Sequence, residues 1–165
     1  MIREDGMPSV YIETTIPSFY CETRDEQQIL AWRNVTREWW DCYRSRYDLF
    51  TSRFVLQELA DAPQPKSRDL LALIADVQVL DEPAELPDVI EYYLEHRLMP
   101  GDAFGDAAHL AMASLHSMEF LLTWNCRHLA NSNKARHIGI LNARMGLATP
   151  VITTPLTLMP EESGQ

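Results

Sequence analysis

The sequence predicts an α/β domain built on a parallel sheet of about five strands with helices on both faces. Two observations lead there. Short β-branched or aromatic runs recur at residues 10–12, 49–51, 77–80, 119–124 and 150–153. Between them lie stretches whose apolar residues return at steps of three and four, the period of a helix. Strands that alternate with helices pair in parallel, and such a sheet is covered on both faces. A third observation sets the scale. The chain has 165 residues with no linker, repeat or low-complexity tract, which fits one domain over residues 1–165.

The elements follow in order. Val10, Tyr11 and Ile12 form the first strand, which Pro17 prevents from continuing as a central strand. Ile29, Trp32, Val35, Trp39 and Tyr43 predict one helix from about 25 to 46. Trp40 stands beside Trp39 and off its face, so one of the two is expected to be exposed or at an interface. Leu49, Phe50 and Thr51 form the second strand, and Ser52 reads as the N-cap of a helix over 53–62. A helix over 67–75 and a strand over 77–80 come next. Leu86, Val89, Ile90, Tyr93 and Leu94 mark a helix within 83–98. After Pro100 and Gly101 comes a helix over 102–117, rich in small residues at 103, 107, 108, 111 and 113. The strongest strand, 119–124, follows. A polar helix within 127–147 and a last strand over 150–153 complete the series.

Composition bounds the function. With 46% hydrophobic residues and fifteen aromatics (four Trp, six Tyr, five Phe), the chain is not intrinsically disordered. Cys21, Cys42 and Cys126 are odd in number and far apart, so a disulfide framework is not expected and a reduced, cytoplasmic setting is. No apolar run is long enough for a membrane span, and the first residues carry no signal-like apolar stretch. The net charge of −10 argues against binding nucleic acid by bulk charge. Yet the excess is concentrated. Residues 54–106 hold twelve acids and three bases, whereas 107–165 hold three acids and four bases.

Several acids adjoin apolar runs near strand ends, where ligands bind in open α/β sheets. Glu13 ends the first strand, and Glu58 lies between apolar neighbours in the helix after the second. Asp102 and Asp106 are spaced i, i+4 and so share one helix face. Thr123 and Asn125 stand at the end of the strongest strand. Carboxylates beside buried apolar segments are costly unless neutralised. Mg²⁺ with oxygen ligands is an economical solution, and hydrolysis of a phosphodiester is the chemistry such a site supports. Each residue also has an ordinary reading. Glu13 is then a loop acid, Asp102 or Asn125 a helix cap, and Asp106 an acid placed by the helix dipole. His109 and His128 read as surface or capping histidines rather than ligands. There is no zinc-type Cys/His cluster, P-loop, dinucleotide fingerprint or nucleophile elbow.

The segments V-Y-I-E-T-T-I-P-S, F-V-L-Q-E-L, G-D-A-A-H-L-A-M-A and L-L-T-W-N-C-R-H-L-A-N, in that order and spacing, resemble PIN-domain proteins, and within them the VapC-type toxins. The resemblance runs from about Met7 to Leu158. It implies a three-layer α/β/α fold and a Mg²⁺- or Mn²⁺-dependent endoribonuclease, acting as the toxin of a type II toxin–antitoxin pair. It also implies an RNA substrate, a cognate antitoxin and a homodimer, for which the aromatic helix around Trp39 and Trp40 offers a face. Carried over by position, Glu13, Glu58 and Asp106 are the metal-holding acids, with Asp102 as a further source of charge. Asn125 stands where many members have a fourth acid, and Thr123 matches that motif's Thr. Glu13 and Asn125 depart from the common Asp. This leaves open a catalytically weakened PIN fold acting as a binding or regulatory module, or a nuclease without an antitoxin. Arg44, Arg46, Arg53, Arg127, Lys134 and Arg136 are candidate contacts for substrate phosphates.

Overall fold

A computed structural model describes residues 6–99 and 104–160. Five parallel strands form one sheet in the order β3-β2-β1-β4-β5. They are β1 (Ser9–Ile12), β2 (Asp48–Thr51), β3 (Gln78–Val79), β4 (Phe120–Leu122) and β5 (Val151–Thr153). Seven α-helices connect them: α1 (Thr15–Tyr20), α2 (Gln27–Glu38), α3 (Arg53–Ala60), α4 (Lys66–Leu73), α5 (Leu86–Glu95), α6 (Phe104–Leu115) and α7 (Ser132–Arg144). Every strand expected from sequence is present. The chain steps outward from β1 to β2 to β3, then returns to the other side of β1 to form β4 and β5. That reversal opens a crevice between the carboxyl ends of β1 and β4, where an open α/β sheet binds its ligand.

Strand β1 is central, and Val10, Tyr11 and Ile12 are all fully buried. This is why the run is apolar throughout rather than alternating. The strand ends at Ile12, ahead of Pro17, and the chain turns at once into α1 with Pro17 in its first turn. Proline fits there because the first N–H groups of a helix have no intrahelical acceptor to lose. In α6 all eight residues from Ala107 to Ser114 are buried. Small side chains let a helix be covered on every side, which explains its alanine content.

Two expectations about the aromatic helix are corrected. The α-helix stops at Glu38, passes into a π-helical turn at Trp39–Tyr43 and ends in a 3₁₀ turn at Arg44–Arg46. Trp39 is 0% and Trp40 4% exposed, so neither is displayed. The wider turn changes the angle between successive side chains, and Trp40 is covered by the Arg44 guanidinium, 4.3 Å from its ring. Tyr20 meets its edge. These two rings are spent on the protein's own core and leave no tryptophan face here for a second copy.

A polar network ties three helices together on the side away from the crevice. The Tyr93 hydroxyl of α5 donates to Asn142 Oδ1 of α7, and Asn142 Nδ2 donates to Ser114 Oγ of α6 at 3.0 Å. Burial pushes the Tyr93 phenol up to about 12, so it keeps its proton at neutral pH. Removing Asn142 leaves Tyr93 and Ser114 only their longer 3.3 Å contact. Asn142→Leu is expected to lower stability by about 1–3 kcal/mol, the cost of an unpaired buried polar group. Chemical denaturation would show it as a lower midpoint, with metal binding unchanged in the folded fraction.

Candidate metal centre

Three strand ends deliver the site. Glu13 directly follows β1, Thr123 directly follows β4, and β2 leads through Ser52 into α3 with Glu58 on its second turn. Helix α6 brings Asp106 and His109 over the same edge.

Glu13 is 4% exposed. Its Oε2 accepts from the Thr15 N–H at 3.1 Å and from the Thr15 and Thr123 hydroxyls at 2.5 and 2.8 Å. Each hydroxyl in turn accepts a backbone N–H, Thr15 from Trp124 and Thr123 from Asn125. The orientation of both hydroxyls is therefore fixed, and each has its proton aimed at the carboxylate. Behind this lies an aromatic anchor. Trp124 stacks on Trp32 of α2 at 4.7 Å, and its ring N–H donates to Thr36 at 2.8 Å. Thr123 and Thr15 thus both hold the Glu13 carboxylate.

Glu58 keeps 41% side-chain exposure and forms the open rim of the site. Its Oε1 lies 2.8 Å from His109 Nε2. The other ring nitrogen, Nδ1, is 2.8 Å from the Tyr11 hydroxyl, which is 2.6 Å from Ser52 Oγ. His109 is thus neither a surface nor a capping histidine. At 1% exposure it is a buried group facing the acids. Burial alone would lower the imidazole, but the Glu58 hydrogen bond and the carboxylates of Glu13, Glu58 and Asp106 together raise it above its ordinary value. Glu58 moves the opposite way. Partial burial acts to raise its carboxyl, yet the hydrogen bond and charge of His109 hold it below the usual value. Ser52 begins α3 as expected but does not cap it with its side chain, because the hydroxyl is committed to Tyr11.

Asp106 sits in the first turn of α6, half-buried, and its Oδ1 accepts from Asn125 Nδ2 at 3.0 Å. Asn125 Oδ1 accepts the His128 N–H at 2.9 Å. Burial raises the Asp106 carboxyl above its ordinary value, with His128, His109 and Asn125 pulling it back only in part. Asn125 is therefore a donor that pins an acid. Asp102 lies outside the described residues.

The donor set suits a cation. One donor atom each from Glu13, Glu58 and His109 lie within 4.8 Å of one another. Thr14 Oγ1 is buried beside Glu58, and His128 Nδ1 is buried without a hydrogen-bond partner near Asp106. Space around Glu58 is tight. A Cβ added at Gly105 would stand 3.2 Å from Glu58 Oε1. Gly105→Ala is expected to fold, since alanine is favoured in a helix, and to weaken Mn²⁺ binding roughly tenfold by crowding the Glu58 carboxylate. Calorimetric titration of Mn²⁺ checks this.

No family model and no curated protein sequence matches the chain. Comparison with solved structures does give matches. VapC20 of Mycobacterium tuberculosis, described as a sarcin–ricin loop cleaving toxin, aligns with TM-score 0.53 and 18% identity over 72% of this chain and 92% of that one. VapBC2 from Rickettsia felis, bound to a DNA fragment from their promoter, aligns with TM-score 0.55 and 13% identity over 88% of this chain and 98% of that one. The fold is the PIN-domain fold of VapC-type toxins.

On this PIN fold the bases expected to meet phosphate are partly occupied. Arg44 pairs with Asp76 at 2.6 Å, Arg53 with Glu82 at 3.0 Å, and Lys134 donates to the Leu98 carbonyl at 3.2 Å. Arg46 lies over the Tyr43 ring. Arg127 and Arg136 are exposed. Sequence reasoning missed Thr15, Tyr11, Gly105 and His109 as parts of the site. One signal was present for the histidine: it stands i+3 from Asp106, on the same side of a helix otherwise lined with alanine. No helix among the described residues is long and apolar enough to cross a membrane.

Proposed function

We propose that this chain is a metal-dependent endoribonuclease that cleaves RNA phosphodiesters, and that it serves as the toxin of a type II toxin–antitoxin pair. The observation that carries the reading is the convergence of Glu13, Glu58 and Asp106 at the crevice of a PIN fold, each carboxylate oriented by a dedicated donor. A bound Mg²⁺ or Mn²⁺ would lower the pKa of a water and offset the charge that builds on the phosphorus. Glu13, Glu58 and Asp106 would hold it. Glu13 contributes a fixed carboxylate, because Thr15 and Thr123 leave it little freedom. Asn125 holds the Asp106 carboxylate in place, and the exposed rim at Glu58 leaves a path for water and substrate.

RNA as substrate draws support from the likeness to VapC20, a sarcin–ricin loop cleaving toxin, and a protein partner from the likeness to VapBC2. The reading of a weakened, non-catalytic module rested on Glu13 and Asn125. In the structure Glu13 accepts from Thr15 and Thr123, and Asn125 donates to Asp106. The deciding comparison uses labelled RNA, including a sarcin–ricin-type stem-loop, with Mn²⁺ or Mg²⁺ and with single-stranded DNA as a control. Wild type is expected to cleave RNA only with metal, and Asp106→Asn to lose at least about 100-fold, the scale of one lost electrostatic contact in a transition state. Equal cleavage by both proteins, or none by wild type on any RNA, would sink the assignment.

A further inference from the structure

The acids account for an all-oxygen site, but the tight donor group is not all oxygen. It consists of Glu13, Glu58 and His109, and among the described residues it is the group of three whose donor atoms approach within 4.8 Å. We propose that His109 is itself a metal ligand through Nε2, and that this nitrogen makes the site favour Mn²⁺ over Mg²⁺. The proposal rests on the metal-dependent reading above and deepens it by assigning the ligand set.

Three features of the structure carry it. The first is distance. His109 Nε2 and Glu58 Oε1 are 2.8 Å apart. Two ligands placed at right angles around one ion, each at about 2.1 Å, stand roughly 3 Å apart. An ion can therefore replace the hydrogen bond between them with little movement of either side chain. The second is the outer shell. A histidine that binds metal through one nitrogen is usually held by a hydrogen bond at the other, which sets its tautomer. His109 has that bond, at 2.8 Å from Nδ1 to the Tyr11 hydroxyl. Tyr11 has Ser52 Oγ at 2.6 Å as a second partner, so it can donate to Ser52 and accept from Nδ1–H. That arrangement leaves the Nε2 lone pair facing the acids. With the hydroxyls turned the other way, Nε2–H donates to Glu58 instead. The same heavy-atom positions thus serve the hydrogen-bonded and the ligating states.

The third is burial. His109 is 1% and Glu13 4% exposed, so their orientations are imposed by the core. Glu58, with 41% of its side chain exposed, stands on the open side of the group. Chemically, imidazole nitrogen suits first-row transition ions, whereas Mg²⁺ takes oxygen ligands and retains its waters. Asp106 lies outside the tight group, held by Asn125, and would complete the shell directly or through water.

Pulsed electron paramagnetic resonance of the Mn²⁺ complex tests this without reference to cleavage. Wild-type protein is expected to show modulation from a directly bound ¹⁴N that changes on ¹⁵N-histidine labelling. The signal should persist in His128→Gln and disappear in His109→Gln. Mn²⁺ affinity should fall roughly 10- to 100-fold in His109→Gln, with Mg²⁺ affinity moving much less. If His109→Gln does not fold, the wild-type and His128→Gln spectra still decide. Mn²⁺ that binds with no directly bound nitrogen, or with a nitrogen signal lost in His128→Gln, overturns the assignment of His109 and leaves the carboxylate site standing. Absence of Mn²⁺ binding at millimolar concentration overturns both.

Discussion

Glu13→Gln is expected to reduce metal-dependent RNA cleavage by at least about 100-fold, the loss attached to one preorganised electrostatic contact. The geometry explains why so small a change should matter. Glu13 sits where the central strand meets the crevice, and its Oε2 receives three donors, from the Thr15 N–H and the two threonine hydroxyls. A glutamine can keep its carbonyl oxygen toward those donors. Its NH₂ then points where the carboxylate's second oxygen stood, presenting protons toward the cation and removing one negative charge. Turned over, the NH₂ would face three donors and leave them unpaired, which costs about 1–3 kcal/mol per buried group. Both choices penalise the site. The measurement is cleavage of labelled RNA against Mn²⁺ concentration, with thermal unfolding as a control. Cleavage within a fewfold of wild type at saturating metal would show that Glu13 is only a structural acid.

Trp39→Ala carries the largest expected loss of stability, about 3–5 kcal/mol, the range for truncating a large buried aromatic. Trp39 is fully buried and packs on Trp40 and Tyr47 at the π-helical turn. At roughly 2–4 °C per kcal/mol for a protein of this size, the melting temperature should fall by about 6–20 °C. Trp39→Phe is expected to cost much less. Trp39 Nε1 is buried without a hydrogen-bond partner, so phenylalanine removes an unsatisfied donor while keeping most of the ring. Calorimetric melting of both variants checks this. Equal losses for Ala and Phe would mean that the indole nitrogen has a partner in solution. Because Trp39 is not among the residues that build the centre, Mn²⁺ affinity of the folded Ala variant should match wild type.

The site was only partly legible in the sequence, and particular residues show why. Glu13, Glu58 and Asp106 stood out because an ionised group beside an apolar run is expensive, and that cost can be read locally. His109 did not. Its i+3 spacing from Asp106 hinted at a shared face but not at what it meets, because its partners Glu58 and Tyr11 are 51 and 98 residues away along the chain. Asn125 looked like a missing charge by position, and proved to be the donor to Asp106, 19 residues distant. Trp40 failed the helical wheel for a similar reason. The wheel assumes a regular helix, and the π-helical turn is compensated by cover from Tyr20 and Arg44.

By itself the sequence determined the succession of strands and helices along the chain and marked Glu13, Glu58 and Asp106 as candidate acids near strand ends. These follow from burial and periodicity, which act over a few residues. Only the tertiary structure decided which groups meet: that two threonines hold Glu13, that a histidine faces Glu58, and that the charge of −10 includes carboxylates gathered at one crevice. Hydrogen bonds of about 3 Å depend on the packing of β1, β4, α3 and α6 against one another, and no local pattern in the chain records that distance.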